Sequence, residues 1–133
     1  MAKKILIVED DIAFYNLCAV DLKLKGYEVS NVSDGQLAFE QVRAQKPDLV
    51  LLDIILPRKN GLEVLEELRQ SGETNSVKIV MLTNFGTDAN VSKAIELGAD
   101  DYIMKYNIVP SDLSKKVADV LGDSGTTAVK FTN

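Results

Sequence analysis

The stretch Ile5-Leu-Ile-Val8 is a short apolar run that ends abruptly in three acids, Glu9-Asp-Asp11. Two later runs, at residues 49–52 and 79–82, have the same aliphatic composition and the same sharp ends. Short continuous apolar runs bounded by charged or turn residues are typical of parallel strands that are covered on both faces. These three segments therefore predict the central strands of a parallel sheet.

The rest of the sequence alternates between helical and strand patterns. Residues 27–32 alternate polar and apolar side chains, as expected for a strand nearer an edge, and residues 101–104 predict a shorter strand. Helical patterns lie between the strands, over 12–25, from about 37 to the residue before Pro47, and over 62–70, 88–97 and 111–121.

Two of these helices carry more specific signals. In the first helix, Leu17, Val20 and Leu24 are spaced three and four apart, which predicts an apolar stripe. In the fifth helix, Ser111 and Asp112 are candidates for the N-terminal cap, with Pro110 at its entry.

Five strand–helix units in succession predict an α/β fold, a doubly wound parallel sheet with helices on both faces. In such a sheet, ligands bind at the carboxyl ends of the strands, where the strand order reverses. The 133 residues fit one domain, which we place at residues 1–121. Residues 122–133 are small, polar and weakly patterned, and we expect them to form a flexible C-terminal tail.

Composition excludes several classes of function. A net charge of −5 argues against nonspecific nucleic-acid binding, and the absence of histidine excludes imidazole metal ligands and a Ser-His-Asp triad. The apolar run at residues 5–8 is too short for a signal peptide or a membrane span, so a cytoplasmic location is the default expectation. The single cysteine, Cys18, lies in an apolar setting and is interpreted as a buried small side chain.

Acidic residues follow two of the predicted central strands. Glu9 and Asp10 come directly after the first strand, and Asp53 comes directly after the third. If these strands are neighbours, at a spacing of about 4.8 Å, the carboxylates converge and repel one another unless a cation or a proton intervenes. A site made only of oxygen ligands favours a hard ion, Mg²⁺ before Zn²⁺.

Two further polar residues occupy equivalent positions. Thr83 ends the fourth strand and Lys105 ends the fifth. A metal, an ammonium and a hydroxyl together form a set that binds a phosphoryl group, and a carboxylate such as Asp53 can act as the nucleophile. Each residue alone is more simply explained as a solvated strand end or surface charge, so the prediction rests on their joint placement at one edge.

The set Glu9, Asp10, Asp53, Thr83 and Lys105 resembles the receiver domain of two-component response regulators. The resemblance extends from Lys3 to about Leu121. Its matching segments are Val8–Asp11, Leu51–Pro57 followed by Gly61, Met81–Thr83 and Gly98–Tyr102. It implies a flavodoxin-like three-layer sandwich with strand order 2-1-3-4-5.

The resemblance also implies a role for each site residue. Asp53 is the phosphoacceptor, supplied by a sensor histidine kinase or a phosphotransfer protein. Mg²⁺ is held by Glu9, Asp10, Asp53 and the backbone carbonyl of Ile55, and Lys105 pairs with the phosphoryl group. Thr83 and Tyr102 form the switch that changes binding of a downstream protein partner. The chain would then be a signalling protein and not an enzyme, apart from hydrolysis of its own phosphoryl group.

Some positions depart from the family pattern. Tyr106 follows Lys105 where proline is usual, which leaves open whether that peptide bond is cis, and Asn84 stands where a small alanine is common. Ile55 and Phe85 are apolar at positions that border the hydrolytic water in receivers, so we expect slow loss of the phosphoryl group.

Alternatives remain open at this point. A pseudo-receiver would keep the fold as an interaction module without phosphorylation. A flavodoxin-like cofactor binder is disfavoured because the acids at residues 9–11 would repel a phosphate, and an aspartate-nucleophile phosphatase would need an acid at residue 55. Residues 122–133 are too few for a DNA-recognition module. The sequence does not distinguish three roles for Ala94, Leu97 and Tyr106, which are a homodimer face, the core and the surface.

Overall fold

Five strands and five helices alternate along the part of the chain that the computed structural model describes, which is residues 2–84, 88–105 and 108–123. The strands are β1 (Lys4–Val8), β2 (Glu28–Val32), β3 (Leu49–Asp53), β4 (Lys78–Thr83) and β5 (Asp101–Met104). The helices are α1 (Ile12–Leu24), α2 (Gly35–Gln45), α3 (Gly61–Gln70), α4 (Asp88–Glu96) and α5 (Pro110–Leu121). The alternation predicted from the sequence is confirmed.

All five strands are parallel and pair in the order β2-β1-β3-β4-β5, as the resemblance implied. The register brings the carboxyl ends of the strands to one edge. Val8 of β1 is level with Leu52 of β3, and Asp53 is level with Leu82 of β4. The residue that follows each of these strands therefore emerges at the same edge, which is where a doubly wound sheet binds ligands.

The sheet separates two apolar layers, which gives the three-layer sandwich. One layer packs the sheet against α2, α3 and α4, with Val42, Leu65 and Ala94 among its buried side chains. The other packs the opposite face against α1 and α5, with Leu22 and Val117 fully buried. Both faces of β1, β3 and β4 are covered, which accounts for the continuous apolar runs in the sequence.

The predicted stripe on α1 is wrong. Leu17, Val20 and Leu24 are exposed, Leu24 to 79%, and α1 instead buries Cys18 and Leu22. The spacing misled because α1 is apolar on nearly every side, and a periodic pattern cannot choose a face in a helix without a polar one. The interpretation of Cys18 as a buried small side chain is confirmed, and its burial raises the pKa of the thiol to about 12.

The predicted cap of α5 is also wrong. Helix α5 begins one residue earlier than expected, with Val109 as the N-cap and without a side-chain hydrogen bond to the cap. Ser111 and Asp112 therefore lie inside the first turn. Pro110 occupies the first helical position, as expected of a residue whose missing N–H has no acceptor there.

The C-terminal end of α5 is fixed near the start of the sheet. Gly122 ends the helix in the left-handed conformation, with φ of 82°. Asp123 then accepts hydrogen bonds from the Lys3 ammonium, at 2.9 Å, and from the Tyr27 hydroxyl, at 3.1 Å. Residues 124–133 lie outside the described residues, so the boundary between domain and tail stays a prediction.

Two other sequence predictions concern surfaces. Ala94 is 2% exposed and therefore serves the core, and Leu97 is partly buried against the same apolar layer. A homodimer stays a prediction. Tyr106 lies outside the described residues. Within the described ranges, no helix is both long and apolar enough to cross a bilayer. The cytoplasmic location stays a prediction.

Candidate functional site

Four strand ends contribute side chains to one edge of the sheet. Glu9 follows β1, Asp53 ends β3, Thr83 ends β4 and Lys105 follows β5. The parallel register places these positions next to one another, and Glu9, Asp53 and Thr83 are buried, at 0%, 3% and 2% exposure. The structure therefore brings together the residues that the sequence singled out.

The turn between β1 and α1 directs Glu9 into the protein. The Glu9 N–H donates to Val32 of β2 at 2.9 Å, which continues the sheet pairing by one residue. One Glu9 carboxylate oxygen accepts from the Asp11 N–H at 3.0 Å, and Asp11 in turn caps α1 through the Phe14 N–H at 3.1 Å. The central acid of the three, Asp10, is left exposed at the mouth of the site.

The loop after β3 holds Asp53 by close backbone packing. The Ile55 N–H donates to Asp53 Oδ1 at 3.2 Å, and the Gly61 N–H donates to the Ile54 carbonyl at 2.8 Å. A Cβ atom on Gly61 would lie 2.0 Å from the Asp53 carbonyl oxygen. Only glycine fits where α3 begins, so Gly61 fixes the backbone that carries Asp53.

Lys105 makes two short ion pairs at the centre of the site. Its Nζ lies 2.6 Å from Glu9 Oε1 and 3.0 Å from Asp53 Oδ2, and its side chain is 8% exposed. Burial alone would lower the pKa of Lys105, but the contacts with both carboxylates outweigh that effect and raise it above its ordinary value of 10.5. The amine is therefore charged at neutral pH and offsets the two acids.

One positive charge does not balance this group of acids. Burial raises the pKa of Glu9 to about 7 and the charge of Asp53 acts in the same direction, whereas Lys105 and the Asp11 N–H oppose the rise. A carboxylate whose pKa lies near neutrality is one whose charge is poorly stabilised by its surroundings. The site as it stands favours an additional cation or proton.

The acid cluster has the composition and spacing of a site for a hard cation. One oxygen each of Glu9, Asp10 and Asp53 lies within 4.8 Å of the other two. Glu9 Oε1 is buried and, although ion-paired with Lys105, has no hydrogen bond of good geometry. An all-oxygen set without sulfur or imidazole fits Mg²⁺ better than Zn²⁺.

The remaining predicted residues surround this cluster. Ile55 lies two residues after Asp53 and is 59% exposed. Thr83 is level with Met104, the residue before Lys105, so Thr83 and Lys105 emerge at the same edge of the sheet. Tyr102 is level with Met81 and is 38% exposed. The peptide bond after Lys105 involves Tyr106 and, like Phe85, lies outside the described residues.

Two supports of the site were not predicted from the sequence. The Phe14 ring lies against Lys105, with 4.7 Å from Nζ to the ring centroid. The loop after Asp53 is tied to α2 by an ion pair between Arg58 and Asp34, and Arg58 has a positive φ of 68°. In the sequence, Phe14 is one more apolar residue of a helix and gave no signal of the first support, and no local pattern pointed to the second.

Comparison with known proteins agrees with this geometry. The family profile described as "response regulator receiver domain" matches residues 5–118. The alkaline phosphatase synthesis transcriptional regulatory protein PhoP of Bacillus subtilis (strain 168) is 37% identical over 128 residues, which are 96% of this chain and 52% of PhoP. The chain spans about half the length of the curated relatives it matches.

Solved structures agree with both the fold and the family. A CheY-like receiver domain protein from Methanospirillum hungatei JF-1 is 30% identical with a TM-score of 0.85, and the match covers 96% of this chain and 99% of that one. The receiver domain of a sensor histidine kinase from Pseudomonas aeruginosa PAO1, with a magnesium ion coordinated in its active-site cleft, is 25% identical with a TM-score of 0.83, covering 92% and 99%. The chain therefore belongs to the response regulator receiver domain family and has the phosphoacceptor function of that family in two-component signalling.

Proposed function

We propose that Asp53 is the residue that accepts the phosphoryl group. It is the acid at the centre of the strand-end cluster, 3% exposed, and its Oδ2 is 3.0 Å from the ammonium of Lys105. That contact carries the proposal, because it places a nucleophilic oxygen and the charge that stabilises an incoming phosphoryl group at one point.

The cation of this site is proposed to be Mg²⁺, held by Glu9, Asp10 and Asp53 together with the backbone carbonyl of Ile55. The convergence of three carboxylates on one point supports the first three ligands, and a related receiver domain carries magnesium in its cleft. When bound, the ion would neutralise acid charge and charge on the phosphoryl oxygens. Glu9 lies deepest, and Asp10 is reached from solvent.

The transfer step is a displacement at phosphorus. An oxygen of the Asp53 carboxylate attacks the phosphorus of a phosphohistidine, forming a P–O bond as the P–N bond breaks. The electron pair of the P–N bond stays with the donor imidazole, which takes up a proton from solvent. Lys105 neutralises the charge that collects on the phosphoryl oxygens, so the chain's own contribution is position and electrostatics.

The switch is proposed to consist of Thr83 and Tyr102. The Thr83 hydroxyl would donate to a phosphoryl oxygen on Asp53, and the aromatic ring of Tyr102 would move inward as Thr83 moves. The positions support these roles, since Thr83 is buried at the site while Tyr102, two positions before the end of the neighbouring strand, is exposed. Charge added at Asp53 thereby shifts the equilibrium between two arrangements of the surrounding loops.

The proposed donor is a sensor histidine kinase or a phosphotransfer protein, and the recipient of the signal is a protein partner. Receiver domains are signalling modules and not classical enzymes. We further propose that the acyl phosphate is lost slowly, because the exposed Ile55 side chain near the acceptor is apolar and has no group that would orient a water by hydrogen bonding. The pseudo-receiver alternative has no supporting observation among the described residues.

Intact-mass measurement after incubation with acetyl phosphate and Mg²⁺ tests the proposal. The chain should gain the mass of one phosphoryl group, and EDTA should prevent the gain. Asp53→Asn should abolish it while the far-ultraviolet circular dichroism spectrum stays unchanged. A full gain of mass in the Asp53→Asn variant would refute Asp53 as the acceptor, and a gain in EDTA would refute the role of the cation.

A further inference from the structure

The Phe14 side chain lies beside the amine that the transfer step uses. The Lys105 Nζ is 4.7 Å from the centroid of the Phe14 ring, within the range of about 6 Å over which a cation is attracted to an aromatic face. The Lys105 side chain is 8% exposed, so little water competes for it. An attraction of this kind is stronger when the cation is desolvated.

Three contacts of this amine with described residues differ in what happens when a cation binds. An ammonium group has three N–H bonds, and Lys105 directs its charge at Glu9 Oε1 and Asp53 Oδ2. Both carboxylates belong to the acid cluster and must share their oxygens with a metal ion and a phosphoryl group. The Phe14 ring has no oxygen and no net charge, so its contact with Lys105 is not exchanged when the site fills.

The ring is itself held by the segment that carries the acids. The Phe14 N–H donates to Asp11 Oδ1 at 3.1 Å, which is the cap that starts α1. The Phe14 side chain is half-buried and packs against the apolar layer between the sheet and α1 and α5. Both contacts are made without Lys105, so the ring can serve as a support for a long, flexible side chain.

We propose that Phe14 is a positioning residue for phosphoryl transfer: its ring keeps the ammonium of Lys105 over the Asp53 carboxylate while the acids exchange partners. The proposal rests on the proposed function of Asp53 and Lys105. It assigns to an apolar residue of α1 an effect on the rate of the chemistry, in addition to its packing in the core.

The test compares four proteins by their rate of phosphorylation with acetyl phosphate and saturating Mg²⁺. Phe14→Leu keeps an apolar side chain but removes the ring, and Phe14→Tyr keeps the ring. Phe39→Leu is the matched control, since Phe39 is also half-buried but packs in the opposite layer. We expect Phe14→Leu to be slower by about two- to tenfold, the rate equivalent of a cation–π contact, and the other two variants to match the wild type.

A double-mutant comparison separates positioning from packing. In a Lys105→Ala background, Phe14→Leu should cause no further loss of rate, because the partner of the ring is gone. The Mg²⁺ dissociation constant of Phe14→Leu should stay within about twofold of the wild-type value, since the ring supplies no ligand. Equal slowing by Phe14→Leu with and without Lys105, or equal slowing by Phe39→Leu, would overturn the proposal.

A spectroscopic measurement keeps this inference separate from the proposed function. In the wild type, the ring current of Phe14 should shift the Cε proton resonances of Lys105. Phe14→Tyr should retain that shift and Phe14→Leu should lose it. If the wild type takes no phosphoryl group, the proposed function fails. An unchanged Lys105 resonance in Phe14→Leu would show that the ring does not hold the amine and would overturn the positioning role, whatever the wild type does with acetyl phosphate.

Discussion

The two ends of the sheet each carry a buried or half-buried cation, and they differ in how completely its charge is matched. At the carboxyl end, Lys105 is shared by Glu9 and Asp53, and a third acid, Asp10, lies close by. At the amino end of β4 and β5, the guanidinium of Arg69 pairs with one acid, Asp100, at 3.1 Å. The cluster around Lys105 has more acidic than basic groups, whereas Arg69 and Asp100 balance each other in charge.

The hydrogen bonds of Arg69 also show that its groups are matched by partners. Its Nε donates to the Gly98 carbonyl at 2.9 Å, and its other nitrogens donate to the carbonyls of Asn75 and Val77 and to Asp100. The Asp100 carboxylate also accepts from the Ile79 N–H at 2.8 Å. Because the guanidinium donates to acceptors in several elements, it holds those elements together. Its charge is paired with Asp100 and is not available to a ligand.

The comparison indicates how a stabilising ion cluster differs from a binding site in this protein. A cluster that satisfies its own charges and hydrogen bonds stabilises the fold. A cluster with surplus acid, a carboxylate pKa of about 7 and one amine is stabilised further by an added cation. Variants at the two ends should therefore affect different measurements.

The largest effect on stability is expected at the amino end. Arg69→Met keeps much of the apolar stem but removes four hydrogen-bond contacts, and it should lower the free energy of unfolding by about 2–4 kcal/mol. Chemical denaturation measures this change. Phosphorylation by acetyl phosphate at a temperature where the variant is folded should remain within about twofold of the wild-type rate; a large loss of rate would mean that the two ends are coupled.

A smaller effect, dependent on pH, is expected at the carboxyl end in EDTA. The folded protein holds the Glu9 proton up to about pH 7, whereas an unfolded glutamate releases it near 4.5. The folded state therefore binds more protons in this interval, and the contribution of Glu9 to stability falls as pH rises through it. Between pH 5 and pH 8, the wild type should lose on the order of 1–2 kcal/mol more stability than Glu9→Gln.

Magnesium supplies the control for that measurement. A cation bound to ionised Glu9 should remove the extra loss at pH 8, because it stabilises the folded state in its deprotonated form. Identical pH profiles for the wild type and Glu9→Gln in EDTA would contradict the surplus of acid at this end.

The smallest effect is expected for a pair that belongs to neither cluster. Lys59 and Glu67 lie 2.9 Å apart on the half-exposed surface of α3 and the loop before it. Ion pairs exposed to this degree contribute little, so Glu67→Gln should change the free energy of unfolding by less than about 0.5 kcal/mol. Chemical denaturation under the same conditions as for Arg69→Met measures this change. A loss of stability as large as that of Arg69→Met would contradict the distinction between fully hydrogen-bonded and solvent-screened ion pairs.

Much of the fold was predictable because its signals are local. The apolar run that includes Val8 and the one that ends at Asp53 are buried on both faces. Such strands are continuous apolar runs and are therefore easily recognised in a sequence. The site followed from the same local fact, since a charge directly after a buried run marks the end of a strand. The order of the strands in the sheet could not be predicted from the apolar runs, and the prediction came from the resemblance to receiver domains.

What could not be predicted depends on contacts between distant residues. The face that α1 buries is chosen by its neighbours and not by its own pattern, so Leu22 is buried while Leu24 is exposed. The contact between Phe14 and Lys105 joins residues far apart in the chain, as does the bond from Arg69 to Gly98. No spacing in the sequence reports such pairs.

The binding of Mg²⁺, followed by isothermal titration calorimetry at pH 8, tests the central claim most directly. We expect one binding event in the wild type and unchanged affinity in Arg69→Met. In Asp10→Asn, a variant at the exposed acid of the cluster, we expect affinity at least about tenfold weaker. Absence of binding in the wild type, or equal affinity in Asp10→Asn, would contradict that claim.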